Sequence, residues 1–187
     1  MLKEYLDCTL CPRKCHQNRY QKLGYCKESA TLKVARSALH YFEEPSISGE
    51  NGSGTIFFSG CNLKCCYCQN QEISLKNFGK EITIDRLSEM ILELEKKKAN
   101  NINLVTPTHF VPSIIEAIKE ARKKGLSIPI VYNTSGYESV ETLKRLKGYI
   151  DIYLTDFKYY DNTLGETLSK CSNYFEVTRK ALDEMYR

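Results

Sequence analysis

The sequence predicts an α/β protein built on parallel strands, with a small cysteine-rich module at its N-terminus. Three observations carry this prediction. From residue 54 onward, short β-branched and aromatic runs alternate with segments of helical period. Residues of chemical character fall just after each run, where parallel sheets build their sites. Eight of the nine cysteines form two tight groups, and the first of these precedes the alternating pattern.

A chain of 187 residues that is 42% hydrophobic supports one main domain. The opening MLKEYLDCTL lacks the apolar stretch and small-residue cleavage site of a secretory signal. No apolar run approaches the ~18 residues of a membrane span. The expectation is a soluble, cytoplasmic protein without a membrane partner. In a reducing compartment, tightly spaced cysteines read as metal ligands rather than disulfides.

The formal charge of +4 is uneven: residues 1–35 carry seven Lys or Arg against three Asp or Glu, and the rest carry twenty of each. Thiolates gathered on a metal are negative, so Arg13, Lys14 and Arg19 read as their counter-charge. No basic run with interleaved aromatics follows, which argues against nucleic acid as a partner.

Taken in order, residues 1–45 form the cysteine-rich module, and SISGENGSG, residues 46–54, gathers the Gly, Ser and Asn of a surface loop. The main domain spans 54–187. TIFFS (55–59), NINLV (101–105), IPIVYN (128–133) and YIDIYLTDF (149–157) read as strands. Ile84, Leu87, Met90, Ile91 and Leu94 recur at helical spacing behind an N-cap at Thr83. Ile114, Ile115, Ile118 and Ala121 mark the next helix, with Pro112 in its first turn and Gly125 past its end. Val140, Leu143 and Leu146 mark a shorter one ending at Gly148. Residues 173–186 suit a final amphipathic helix, although YFEVT also suits a strand. Strand followed by helix, repeated, requires parallel strands joined by right-handed crossovers.

The cysteine loop CNLKCCYCQN follows the first strand. Taking Cys61, Cys65 and Cys68 gives C-x3-C-x2-C, three thiolates that suit one corner of a [4Fe-4S] cubane and leave one iron open. Taking Cys66 in place of Cys65 crowds two ligands against one face, so Cys66 reads as a spare thiol. A sulfur-rich zinc site that borrows Cys66 is the competing reading. Upstream, Cys8, Cys11, Cys15 and Cys26 form C-x2-C-x3-C-x10-C. This can supply a closed four-thiolate site for zinc or a second iron-sulfur cluster, with His16 as an alternative ligand. The solitary Cys171 reads as a small buried hydrophobe.

With GTIFFSGCNLKCCYCQNQEIS, NINLVTPTHFVP, YNTSGYE, DIYLTDFKY and the N-terminal CTLCPRKC, the chain resembles the radical S-adenosylmethionine superfamily, and within it the glycyl-radical activating enzymes such as pyruvate formate-lyase activating enzyme. The resemblance implies a partial parallel (β/α) barrel of the radical SAM type. It implies a [4Fe-4S] cluster on Cys61, Cys65 and Cys68 whose open iron chelates S-adenosylmethionine, with Tyr67 near the adenine. Reductive cleavage would then give a 5′-deoxyadenosyl radical that abstracts hydrogen from a substrate. A flavodoxin or ferredoxin would supply the electron, and a glycyl-radical enzyme is the protein substrate suggested by analogy.

Carried over position by position, the resemblance places further cofactor contacts at Thr106, Thr108, Asn133, Ser135, Asp156 and Lys158. Thr106, Pro107 and Thr108 stand where most of the superfamily has a Gly-Gly pair. Asn133 stands where the activating enzymes have Asp, which keeps an oxygen but removes a charge. Each position also has a plain reading: a loop leading into a helix for the threonines, a turn for Ser135, and a surface salt bridge for Asp156 and Lys158. His109 either lines the pocket or caps a helix. The resemblance expects six parallel strands and later blocks, so the chain reads as C-terminally short. A truncated relative that binds metal without turnover is the alternative function.

Overall fold

The computed structural model describes residues 1–187 and contains one six-stranded sheet. Its elements are β1 (Leu32–His40), α1 (Pro45–Ser48), β2 (Ser53–Phe58), α2 (Gln71–Ser74), β3 (Lys80–Ile82), α3 (Ile84–Lys96), β4 (Ile102–Val105), α4 (Val111–Lys123), β5 (Ile130–Thr134), α5 (Val140–Leu146), β6 (Ile152–Thr155), α6 (Asn162–Ser169) and α7 (Tyr174–Met185). The strand order is β3-β1-β2-β4-β5-β6. The strands β2, β4, β5 and β6 run parallel, and β1 pairs antiparallel with both β2 and β3.

The four parallel strands are those that the sequence predicts, and the crossovers between them are the predicted helices. The segment 174–185 is helix throughout, which resolves YFEVT. β1 and β3 have no counterpart among the predicted strands. Residues 32–40, grouped by composition with the cysteine-rich module, belong to the main sheet, where β1 lies beside β2. The alternation in LKVARSALH is blurred by Arg36 and Ser37, and the strand lies beside one that follows it in sequence, so no βαβ spacing announces it.

Period-two alternation gives the sheet two different faces. Ile56, Phe58, Ile102, Leu104 and Ile130 point to the helices and pack with Leu87, Ile91 and Leu94 of α3 and Ile114 and Ile118 of α4. Each fully buried aliphatic side chain contributes about 1.5–3 kcal/mol, so this layer is the main source of stability. The helix α3 starts where expected: Thr83 Oγ1 accepts the Arg86 N–H at 3.1 Å. The opposite sheet face carries Thr55, Phe57, Asn103, Val105, Val131 and Asn133, half polar and half apolar. No helix is long and apolar enough to cross a membrane.

The N-terminal residues are bolted onto this frame. Tyr5 Oη lies 2.9 Å from Ser113 Oγ, Thr142 Oγ1 donates to the Leu10 carbonyl at 2.7 Å, and Arg145 pairs with Glu4 at 2.5 Å. Arg19 is only 1% exposed. Its guanidinium donates to the Ser29 carbonyl at 2.5 Å, the Glu28 carbonyl at 3.3 Å and the His109 carbonyl, and stacks 4.7 Å from the Tyr5 ring centroid. Gly60 explains why this packing reaches the cysteine loop. It has φ +77°, and a Cβ there would lie 2.6 Å from the Cys26 carbonyl oxygen.

Candidate functional site

A cavity of about 670 Å³ opens at the carboxyl ends of the parallel strands. Cys61, Cys65 and Cys68 line it from the loop after β2. Thr106 enters from the loop after β4, Asn133 and Ser135 from the end of β5, and Asp156 and Lys158 from the segment after β6. Gly136, at φ +78°, lets the β5 loop close on this last segment, because a Cβ there would meet the Asp156 carbonyl oxygen at 2.6 Å.

Each of the three cavity thiols has at least one hydrogen-bonding neighbour. The Leu63 N–H donates to Cys61 Sγ at 3.4 Å, Ser169 Oγ donates to Cys65 Sγ at 2.9 Å, and Ser74 Oγ lies 3.2 Å from Cys68 Sγ. Cys66 is exposed and absent from the cavity wall. Burial pushes the Cys61 thiol up to about 11, partly offset by the Leu63 N–H, so without a metal it stays protonated. Cations stand close by. Lys64 Nζ donates to the Cys61 carbonyl at 3.2 Å, and Arg13 Nε donates to the Asn62 carbonyl at 2.9 Å. The Arg13 guanidinium lies over Tyr25 and Tyr137, 4.4 and 5.2 Å from their ring centroids.

Three cavity-facing thiols and a fourth turned away are the donor set that a [4Fe-4S] cubane with one open iron would take.

The remaining predicted contacts separate into two sets. Tyr67 lines the cavity, and its hydroxyl meets that of Tyr159, whose oxygen lies 2.5 Å from Ser169 Oγ. A chain of hydroxyls thus runs from Tyr67 to the Cys65 sulfur. Lys158 Nζ pairs with Asp156 at 2.5 Å while both line the cavity, so the salt bridge and the pocket position coexist. Thr106 holds φ +57°, a strained angle for a β-branched residue at a loop facing the cavity. Thr108 is the exception. Its hydroxyl donates to Glu138 at 2.5 Å, and the residue is absent from the cavity wall.

Glu138 is 1% exposed and also accepts from Thr134 Oγ1 and from Tyr132 Oη at 3.3 Å. Burial lifts its carboxyl to about 7 against the pull of these donors. The residue ties the β4 loop to the end of β5. Nothing local in YNTSGYE marks this glutamate out, because its partner Thr108 comes from another part of the chain. His109 is buried with Nε2 2.7 Å from the Ser59 carbonyl oxygen, outside the cavity wall. Burial and the nearby Arg19 hold it well below its usual range, at about 3, so it is neutral.

In the N-terminal group, Cys8, Cys11 and Cys26 are buried and Cys15 is half-buried. Cys26 Sγ and Cys15 Sγ lie 3.3 and 3.6 Å from where a Gly24 Cβ would stand. Arg19 Nη1 approaches Cys8 Sγ at 3.9 Å. His16 turns outward to pair with Asp7 at 2.8 Å. Cys171 is fully buried among Leu63, Tyr137, Tyr159 and Tyr174.

A family model described as the radical SAM superfamily matches residues 55–187. The chain is 36% identical over 184 residues to an uncharacterized protein of Methanocaldococcus jannaschii, a match covering 94% of this chain and 52% of that one. It is 26% identical over 130 residues to the pyruvate formate-lyase-activating enzyme of Clostridium pasteurianum, covering 66% and 53% respectively. The chain spans about half the length of these curated relatives.

Proposed function

Because this chain belongs to the radical SAM superfamily, we propose that it cleaves S-adenosylmethionine reductively, with Cys61, Cys65 and Cys68 as ligands of a [4Fe-4S] cluster. The observation that carries this reading is the shared cavity. The three thiols face the same space as Tyr67, Asn133, Ser135, Asp156 and Lys158, while Cys66 faces out. When bound, the cluster supplies the electron that splits S-adenosylmethionine into methionine and a 5′-deoxyadenosyl radical, which takes a hydrogen atom from a substrate carbon.

The chain's own residues bind and orient. Lys158, anchored by Asp156, offers a cation to the methionine carboxylate, and Thr106 and Asn133 offer oxygens to its ammonium group. Ser135, at the β5 turn, suits the ribose, and Tyr67 presents a ring to the adenine. Thr108 acts indirectly, holding the β4 loop to Glu138.

A glycyl-radical enzyme as protein substrate is supported by the relative named as a pyruvate formate-lyase-activating enzyme. The electron donor is then a flavodoxin or ferredoxin. For Cys8, Cys11, Cys15 and Cys26 we infer a structural zinc or auxiliary cluster, with buried Arg19 offsetting its negative charge.

The test is anaerobic reconstitution with iron and sulfide, followed by dithionite and S-adenosylmethionine. Wild type is expected to form 5′-deoxyadenosine, and Cys61→Ala, Cys65→Ala and Cys68→Ala to form none. A cluster-loaded wild type that leaves S-adenosylmethionine intact would overturn the reading.

A further inference from the structure

One group of polar side chains in the cavity has no part in the cysteine chemistry. Glu43 follows β1 and lines the cavity wall, half-buried, beside His40 and Phe42. Its Oε2 lies 3.2 Å from Asn103 Nδ2 and 3.5 Å from Asn133 Nδ2. Asn103 points to the inner sheet face one pleat below Val105, which lines the cavity, and is 0% exposed. Its Oδ1 has neither a protein partner nor contact with solvent.

Two features of this group point to a ligand. Both carboxamide nitrogens are turned toward one carboxylate oxygen. Glu43 Oε1, Asn103 Oδ1 and Asn133 Oδ1 are left as acceptors that no protein donor reaches. Leaving a buried acceptor unpaired destabilises the fold, and the arrival of a donor here relieves that cost. Charge is the second feature. Glu43 has no Lys or Arg within ion-pairing distance, whereas Asp156, the other carboxylate of the cavity, has Lys158. A carboxylate whose protein donors are already spent on Oε2, with three acceptor oxygens left over and no facing Lys or Arg, matches a cation that carries several N–H donors.

We propose that Glu43, Asn103 and Asn133 form a substrate subsite for a primary ammonium or guanidinium group, one layer deeper in the half-barrel than the cysteine loop. That the cation belongs to the substrate rests on the reading of this cavity as a radical SAM pocket. The binding itself does not, and is tested without turnover. Asn133 then faces both ligands, which places the anchored end of the substrate beside the cofactor. A substrate of this class enters by its nitrogen end, with the carbon chain directed toward the cysteine loop.

The test uses the whole ¹⁵N-labelled chain, before and after cluster loading, with the side-chain amide resonances of Asn103 and Asn133 as reporters. The probes are n-butylammonium, tetramethylammonium, n-butanol and butyrate at equal ionic strength. Butylammonium is expected to shift both resonances saturably, with tetramethylammonium and the two non-cations without effect. Affinity should fall about tenfold or more in Glu43→Gln and less in Glu43→Asp. Equal shifts from tetramethylammonium or butanol, unchanged binding by Glu43→Gln, or no shift in wild type would each overturn the subsite. Displacement of butylammonium by equimolar Mg²⁺ would replace it with an inorganic cation site. Absence of 5′-deoxyadenosine leaves all these outcomes unaltered, so the two proposals fail separately.

Discussion

Ser169 Oγ donates to Cys65 Sγ at 2.9 Å across 104 residues of chain, from the last residue of α6 to the loop after β2. The same hydroxyl meets Tyr159 Oη at 2.5 Å. A hydrogen bond to a ligating sulfur stabilises the more negative, reduced state of an iron-sulfur cluster. Ser169→Ala should therefore lower the cluster's reduction potential by some tens of millivolts, about 59 mV corresponding to a tenfold change for one electron. Potentiometric titration followed by EPR measures it. An unchanged potential would remove Ser169 from the sulfur's environment.

The thiols of the cysteine loop divide by direction. Cys66→Ala should keep full iron and sulfide content after reconstitution, because Cys66 is exposed and off the cavity wall. Cys61→Ala, Cys65→Ala or Cys68→Ala should each lose most of the cluster absorbance. Loss of the cluster in Cys66→Ala would favour the alternative register.

Glu138 makes stability depend on pH in a definite direction. Its carboxyl sits at about 7 in the folded chain against an ordinary 4.5, because burial disfavours its charge. Between these values the folded state holds a proton that the unfolded state has released. Stability from this group is therefore full in acid and falls as pH rises from about 4.5 to about 7, by on the order of 3 kcal/mol. Buried Glu28, also lifted to about 7, acts in the same sense. Urea unfolding of wild type and Glu138→Gln across this window should show a difference that shrinks toward acid, and parallel curves would contradict it. The variant should also bind S-adenosylmethionine more weakly, since Glu138 holds Thr108 and Thr134 together.

Arg19→Met leaves the carbonyls of Ser29 and His109 without their buried donor and removes one of the two donors to the Glu28 carbonyl. The expected cost is about 3 kcal/mol or more, read as a lower urea midpoint at similar slope. A change below about 0.5 kcal/mol would show that the N-terminal residues are not bolted to the β4 loop through this side chain.

What the sequence revealed followed from local periodicity. The four parallel strands, the Thr83 cap and the helices α3, α4, α5 and α7 are each written in a few consecutive residues. The cysteine loop was legible for the same reason. Glu138, Ser169 and Glu43 were not, because each earns its role only through partners brought by the fold: Thr108, Cys65 and Asn103 lie 30, 104 and 60 residues away. Thr108 was misplaced because the strand-end pattern does not say which of two neighbouring threonines turns inward. A signal for the inner face did exist, since Asn103 interrupts the apolar run Ile102, Leu104, Val105 at a position facing the cavity side.

The most direct measurement is the EPR spectrum of the anaerobically reduced, reconstituted chain with and without S-adenosylmethionine. The three-thiolate reading predicts a cluster signal that changes shape when S-adenosylmethionine is added and disappears in Cys65→Ala. A signal of a cluster fully ligated by side chains and indifferent to S-adenosylmethionine would contradict it.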